Sequence, residues 1–309
     1  MQRVQRWAWV SGLAVMIAAG SGLGARAQAP ATSPLISTEQ VATLLGQPQV
    51  VLLHVGPAQA YEGRHLPGAR LVSTADVSVT GNLPDGTTLN LQLPDAETLK
   101  GQLEALGISD DSQIVVYAAA PGVTASATRI MATLYAAGLG DRSQLMDGGL
   151  TKWAAENRAT TADVPEPRTG TLRPLEMRPL VVEAEEVQAR MGAAGTTIVD
   201  ARTPAFYSGA STGGSQQNPH KTGHITGAVN VPFSSLYDAQ GQFRSVDQLR
   251  AAFVNAGVKP GDQVIAYCHI GQQATVAVFA ARLAGFDVRL YDGSFEDWSK
   301  RDGATTIKK

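Results

Sequence analysis

The sequence predicts an α/β fold of two tandem domains, each a mainly parallel sheet with helices on both faces. Three observations lead there. Short apolar strands alternate with helical stretches, the pattern of a parallel sheet flanked by helices. The same order of landmarks occurs twice along the chain. And 309 residues, 44% of them hydrophobic, suffice for two cores.

The elements follow in chain order. Arg3 and Arg6 precede an apolar stretch from Trp7 to Ala19, and small residues lead to Ala25-Arg26-Ala27. This is the order of a secretory signal peptide of bacterial type, residues 1–27, cut after Ala27 or after Ala29. The alternative is an uncleaved anchor, for which the apolar run is short. A periplasmic or secreted protein is expected. The first domain, residues 34–156, opens on the strand Val50 to His54 and continues through Pro57, Tyr61 and His65-Leu66-Pro67-Gly68-Ala69. A helix with Leu99, Leu103 and Leu106, a strand from Gln113 to Tyr117, a helical stretch, Asp147-Gly148-Gly149 and Trp153 complete it. Residues 157–178, with Pro165, Pro167 and Pro174, read as an extended linker.

The second domain, residues 179–309, repeats the plan. Thr197 to Asp200 matches the first strand, and His224-Ile225-Thr226-Gly227-Ala228 matches the histidine segment. Leu249, Phe253 and Ala256 mark the helix, Gln263 to Tyr267 the next strand, and Asp292-Gly293-Ser294 with Trp298 the end. His54 and Asp200 lie 146 residues apart, but His65 and His224 lie 159 apart, so the second half carries about 13 extra residues. They fall in the Gly/Ser-rich segment from Ser208 to Thr222, mobile by composition.

A formal charge of −2 with no charged block gives no footprint for nucleic acid or for an anionic membrane. Internal duplication makes a monomer the default. The single cysteine, Cys268, cannot form an internal disulfide. In an exported chain it is a reactive thiol or an intermolecular partner. It stands between the strand ending at Tyr267 and a helical stretch from Val276 to Leu283, at the sheet edge where ligands bind. Unpaired N–H groups of that helix, and a loop able to fold into a ring of donors, stabilise a thiolate, so a lowered thiol pKa is expected. Gly271 suits a turn with positive φ. The bland alternative is an inert core cysteine; the polar loop His269-Ile270-Gly271-Gln272-Gln273-Ala274 argues against it.

Four pieces in order, Asp200-Ala201-Arg202, Gly223 to Ala228, the cysteine loop and Tyr291 to Trp298, resemble the tandem-domain rhodaneses, the thiosulfate and 3-mercaptopyruvate sulfurtransferases. The likeness spans nearly all of the chain after the leader and implies two rhodanese-like domains. It implies that Cys268 attacks the outer sulfur of a donor, keeps it as a persulfide and yields it to cyanide or a thiol. The N–H ring stabilises the charge of donor and leaving group. No metal or organic cofactor is implied; the partners are a small sulfur donor and its acceptor. Arg202 matches a family position that contacts the anionic substrate, though pairing with a carboxylate is the plainer reading. His269 adds partial positive charge or is solvated; Gln272 and Gln273 offer side-chain amides to the pocket or only shape the loop, which Ile270, Gly271 and Ala274 complete. His224 belongs to the scaffold.

The loop departs from the resemblance in holding no arginine or lysine, which leaves the donor open. His220 and Lys221 of the inserted segment are candidates for the missing cation. Aligning the halves sets Ala118 against Cys268 and Gly56 against Arg202, so the first domain holds no nucleophile. Domain interfaces favour pockets, and Arg64 and Arg129 could reach into one between the halves, though surface solvation is the plainer reading of both. A phosphatase of this fold needs an arginine where Ala274 stands. A sulfur carrier or redox module without rapid turnover fits the same cysteine. A purely structural protein leaves the cysteine loop unexplained.

Overall fold

A computed structural model describes residues 33–215, 219–301 and 306–307. The expected leader, residues 1–27, lies outside the described residues, as does the tip of the inserted segment. No described helix is long and apolar enough to cross a membrane.

In the first half the order is β1 (Leu35–Ile36), α1 (Thr38–Leu44), β2 (Val50–Val55), α2 (Ala58–Gly63), β3 (Arg70–Val72), β4 (Val79–Asn82), β5 (Thr88–Gln92), α3 (Ala96–Ala105), β6 (Gln113–Ala118), α4 (Thr124–Ala136), β7 (Ser143–Met146) and α5 (Gly149–Ala155). The second half gives β8 (Val181–Val182), α6 (Ala184–Arg190), β9 (Thr196–Asp200), α7 (Pro204–Ser208), β10 (His224–Ile225), β11 (Val229–Asn230), α8 (Val246–Ala256), β12 (Gln263–Tyr267), α9 (Ala274–Leu283), β13 (Val288–Tyr291), α10 (Ser294–Trp298) and β14 (Thr306–Ile307). Two five-stranded sheets result, in the orders β1-β7-β6-β2-β3 and β11-β9-β12-β13-β8. Every neighbouring pair in both is parallel.

Helices cover both faces of each sheet, so the central strands are apolar on both sides. Val264 and Ala266 of β12 enter one core cluster; Ile265 and Tyr267 enter the other. In β6, Ile114 and Val116 face one way and Val115 and Tyr117 the other. The duplication extends to single hydrogen bonds. His65 stacks on Tyr61 and His224 on Tyr207. Each imidazole Nδ1 lies 2.7–2.8 Å from its tyrosine's carbonyl. The hydroxyls of Tyr117 and Tyr267 accept from Leu66 and Ile225, both at 3.1 Å.

The halves meet through α4 and α9. Ala132 and Ala136 of α4 belong to the second domain's core, while Phe279 of α9 belongs to the first. Thr128 Oγ1 and Thr275 Oγ1 lie 2.8 Å apart across this seam. The contact places the first domain directly against the cysteine loop.

Candidate active site

Cys268 leaves β12 at the carboxyl edge of the sheet, as the sequence reading expects, and α9 begins at Ala274, earlier than the apolar pattern suggested. Helix α9 has no side-chain cap. Its first N–H groups are therefore free for another acceptor, and that acceptor is sulfur. Main-chain N–H groups of His269, Ile270, Gln273 and Ala274 all donate to Cys268. Gly271 makes the ring possible with φ +76°; a Cβ there would sit 2.6 Å from the Asp292 carbonyl oxygen. From behind, the Cys268 and His269 carbonyls accept from Phe295 and Glu296 N–H, at 3.1 and 2.9 Å. Cys268 N–H donates to Ser294 Oγ at 3.1 Å.

The expected lowering of the thiol pKa is corrected. Cys268 is wholly buried. Burial pushes its thiol up, and the four N–H groups recover only part of that. The loop in isolation supplies the donors; the surrounding core, invisible to local reasoning, supplies the larger desolvation.

Arg202 sits beside this ring but faces inward. Its side chain is 1% exposed. Nε and Nη2 grip both oxygens of Asp200 at 2.5–3.1 Å, and Nη2 donates to the Gly223 carbonyl at 2.7 Å. The guanidinium lies 3.9 Å above the Phe295 ring. Burial opposes its charge, yet Asp200 holds its pKa above the usual value. Asp200 also accepts from the Tyr267 hydroxyl at 2.6 Å. Arg202 thus braces the floor beneath the sulfur, while the first domain has His54 and Gly56 in these two places.

The loop side chains divide. His269 and Ile270 line an open cleft of about 1050 Å³, together with Phe206, Gly213, His220 and Lys300 of the second domain. Residues Asp85 to Thr88 and Asn90 of the first domain form its other wall. Gln272 turns from the cleft and donates to Ser126 Oγ of α4 at 2.8 Å. Gln273 Oε1 is buried without a partner, and Ala274 is fully buried. Of the two inserted candidates, His220 reaches the cleft wall. Lys221 turns aside to donate to the Arg301 carbonyl at 3.0 Å.

Arg129 overturns the expectation of a solvated arginine. It is 1% exposed and crosses from α4 to the second domain. Its guanidinium pairs with Asp292, donates to the Leu91 carbonyl and reaches the Gly271 carbonyl inside the cysteine loop at 3.4 Å. Asp292 also accepts from Leu93 N–H at 2.8 Å, and Glu296 accepts from Asn90 N–H and Nδ2 at 2.9 and 2.8 Å. Asn90, Leu91 and Leu93 belong to the β4–β5 hairpin or follow it directly. Sequence reasoning passed over this hairpin, although Pro84-Asp85-Gly86 is a turn signal. The pseudo-equivalent corner of the first domain is packed shut. There Asp147 accepts from Phe243 N–H at 2.9 Å, and the Phe243 ring packs at a tilt, 5.0 Å between centroids, against Phe279, which replaces Arg129 in the alignment.

Comparison with known proteins agrees with this geometry. The rhodanese-like domain model matches twice, at residues 37–156 and 183–301. A Pseudomonas aeruginosa protein named "Probable 3-mercaptopyruvate sulfurtransferase" is 31% identical over 277 residues, covering 86% of this chain and 95% of its own length. A Haloferax volcanii protein named as a thiosulfate sulfurtransferase is 30% identical over 256 residues, covering 81% and 85%. The crystal structure of the 3-mercaptopyruvate sulfotransferase SseA from Escherichia coli superposes with a TM-score of 0.73 at 25% identity, covering 85% of this chain and 99% of that one. The anaerobic ergothioneine biosynthesis enzyme of Chlorobium limicola shares the fold, with a TM-score of 0.76 at 21% identity, covering 90% and 71%. With both halves matched and the sole cysteine in the second, the chain belongs to the rhodanese family, as a tandem-domain sulfurtransferase.

Proposed function

We propose that Cys268 relays a sulfane sulfur from thiosulfate or 3-mercaptopyruvate to a thiophilic acceptor, cyanide or a thiol. The observation that carries this reading is the convergence of four main-chain N–H groups on the only cysteine of the chain. With thiosulfate, the thiolate attacks the outer sulfur, the sulfur–sulfur bond of the donor breaks, and sulfite leaves with the electron pair. With 3-mercaptopyruvate, the carbon–sulfur bond breaks and the thiol proton ends on carbon as pyruvate forms. Either way Cys268 holds a persulfide anion, and the ring that stabilised the thiolate stabilises it too. Cyanide then takes the outer sulfur as thiocyanate and regenerates the thiolate. Because Cys268 has no exposed surface, donor entry requires the residues above the sulfur to shift.

The test is thiocyanate production from either donor with cyanide. The native chain is expected to turn over and Cys268→Ala to be inactive; equal activity of the two removes the proposal. The same burial favours one second reading, a carrier that holds sulfur without rapid turnover. A stable persulfide with no thiocyanate release identifies that case. We also propose export, on the strength of Arg3, Arg6, the apolar run and Ala25-Arg26-Ala27. Amino-terminal sequencing of the chain from a periplasmic fraction is expected to begin at Gln28 or Pro30.

A further inference from the structure

We propose that His220 and His269 together form a subsite for the anionic end of the sulfur donor, charging on its arrival. The inference rests on the sulfur-transfer reading above and deepens it. It addresses a gap that reading leaves: the cysteine loop has no lysine or arginine, and Arg202 is committed to Asp200.

The inserted segment is built to bring one imidazole to the other. Its two arms pair: His220 N–H donates to the Gly213 carbonyl at 3.0 Å, and Gly214 bridges Pro219. This sets the His220 ring 5.8 Å from that of His269. The edge of Phe206 fixes His269 at 4.5 Å, and Phe295 flanks His220 at 6.1 Å. His220 is 7% exposed, and its Nδ1 has no hydrogen-bond partner. Both Nδ1 atoms converge on Gly213, where a Cβ would lie 2.8 Å from His269 and 3.1 Å from His220. A buried nitrogen without a partner is costly, and both histidines line the open cleft beside the cysteine loop.

The charged surroundings account for the response. Arg202 acts on both rings, and Lys300 acts on His220. Asp200 partly offsets this at His269. Glu296 lines the same cleft, but its carboxylate is taken by Asn90. Asp297 is taken by Tyr291 and Arg301, and Lys221 by the Arg301 carbonyl. Burial, with these cations, pushes both imidazoles down to about 4. An anion entering the cleft reverses the balance, because it favours the protonated form of each ring. The donor therefore brings its own counter-charge into the site as a proton.

The experiment is titration calorimetry of full-length Cys268→Ala with thiosulfate near pH 6, in buffers of different ionisation enthalpy. Removing the thiol prevents turnover and leaves the binding groups. Uptake approaching one proton per thiosulfate is expected. It should vanish in Cys268→Ala carrying His220→Asn and His269→Asn, with affinity reduced about tenfold. Gly213→Ala, which drives a methyl against both rings, should weaken binding in the same direction. Binding without proton uptake, uptake unchanged in the histidine variant, or no binding overturns the inference. Persulfide formation by the native chain is read separately, so that sulfur transfer without proton-linked binding condemns only this subsite.

Discussion

Arg129→Met removes a buried charge while keeping the length and much of the volume of the side chain. The two partners of the pair are 2% and 4% exposed, so Asp292 is left as an uncompensated carboxylate beneath the cysteine loop. Breaking a buried pair by deleting one partner costs about 3–5 kcal/mol. That is a large part of the roughly 5–15 kcal/mol that holds a domain folded, and about 3 kcal/mol already changes the folded-to-unfolded ratio more than a hundredfold. The assay is urea unfolding of a chain beginning at Gln28 with Trp153→Phe, so that Trp298 is the only tryptophan reporting. A lowered midpoint is expected. Arg129→Met combined with Asp292→Asn should recover part of the loss, since the buried charge is gone and an amide oxygen still accepts from Leu93. A loss below about 1 kcal/mol, the size of an exposed pair, would refute the reasoning.

Other expectations follow from the same geometry. Gly271→Ala places a methyl 2.6 Å from the Asp292 carbonyl at φ +76°; the strain costs about 1–3 kcal/mol, and sulfur transfer should fall at least tenfold. Because burial raises the Cys268 thiol from its ordinary 9.0, its alkylation by iodoacetamide should still be climbing above pH 9; a plateau below about pH 8 would contradict this. His54 is buried, and its pKa falls from 6.5 to about 4 through burial and the nearby His65. The unfolded chain thus binds the extra proton between those values, and stability is complete above pH 6.5 and falls toward pH 4, by up to about 3 kcal/mol. Urea midpoints across that range should drop more steeply for the native chain than for His54→Gln.

Much of the fold is written locally. Strands such as Val50 to Val55 and Gln263 to Tyr267 are continuous apolar runs, because both faces of a parallel sheet are covered. His65 and His224 betray the repeat because each stacks on a tyrosine, Tyr61 or Tyr207, that lies seven residues past the matched strand positions His54 and Asp200. Cys268 is conspicuous as the only cysteine, at the end of a strand. What the sequence conceals depends on the packing of the halves. Nothing in α4 announces that Arg129 leaves its own domain, and the patterns around it suit a solvated residue equally well. Arg202 looks available to a substrate until Asp200, two residues earlier, is seen to take it. Gln272 follows the cysteine in sequence, yet Ser126 of the other domain claims its amide. The thiol shift went the other way for the same reason: N–H donors are local, burial is not.

The most direct measurement is intact-mass analysis of the chain after exposure to thiosulfate or 3-mercaptopyruvate, followed by peptide mapping. One added sulfur atom on the Cys268 peptide, removed by cyanide and absent in Cys268→Ala, is the expected result. A chain that turns over donor with no sulfur ever found on Cys268 would contradict the account.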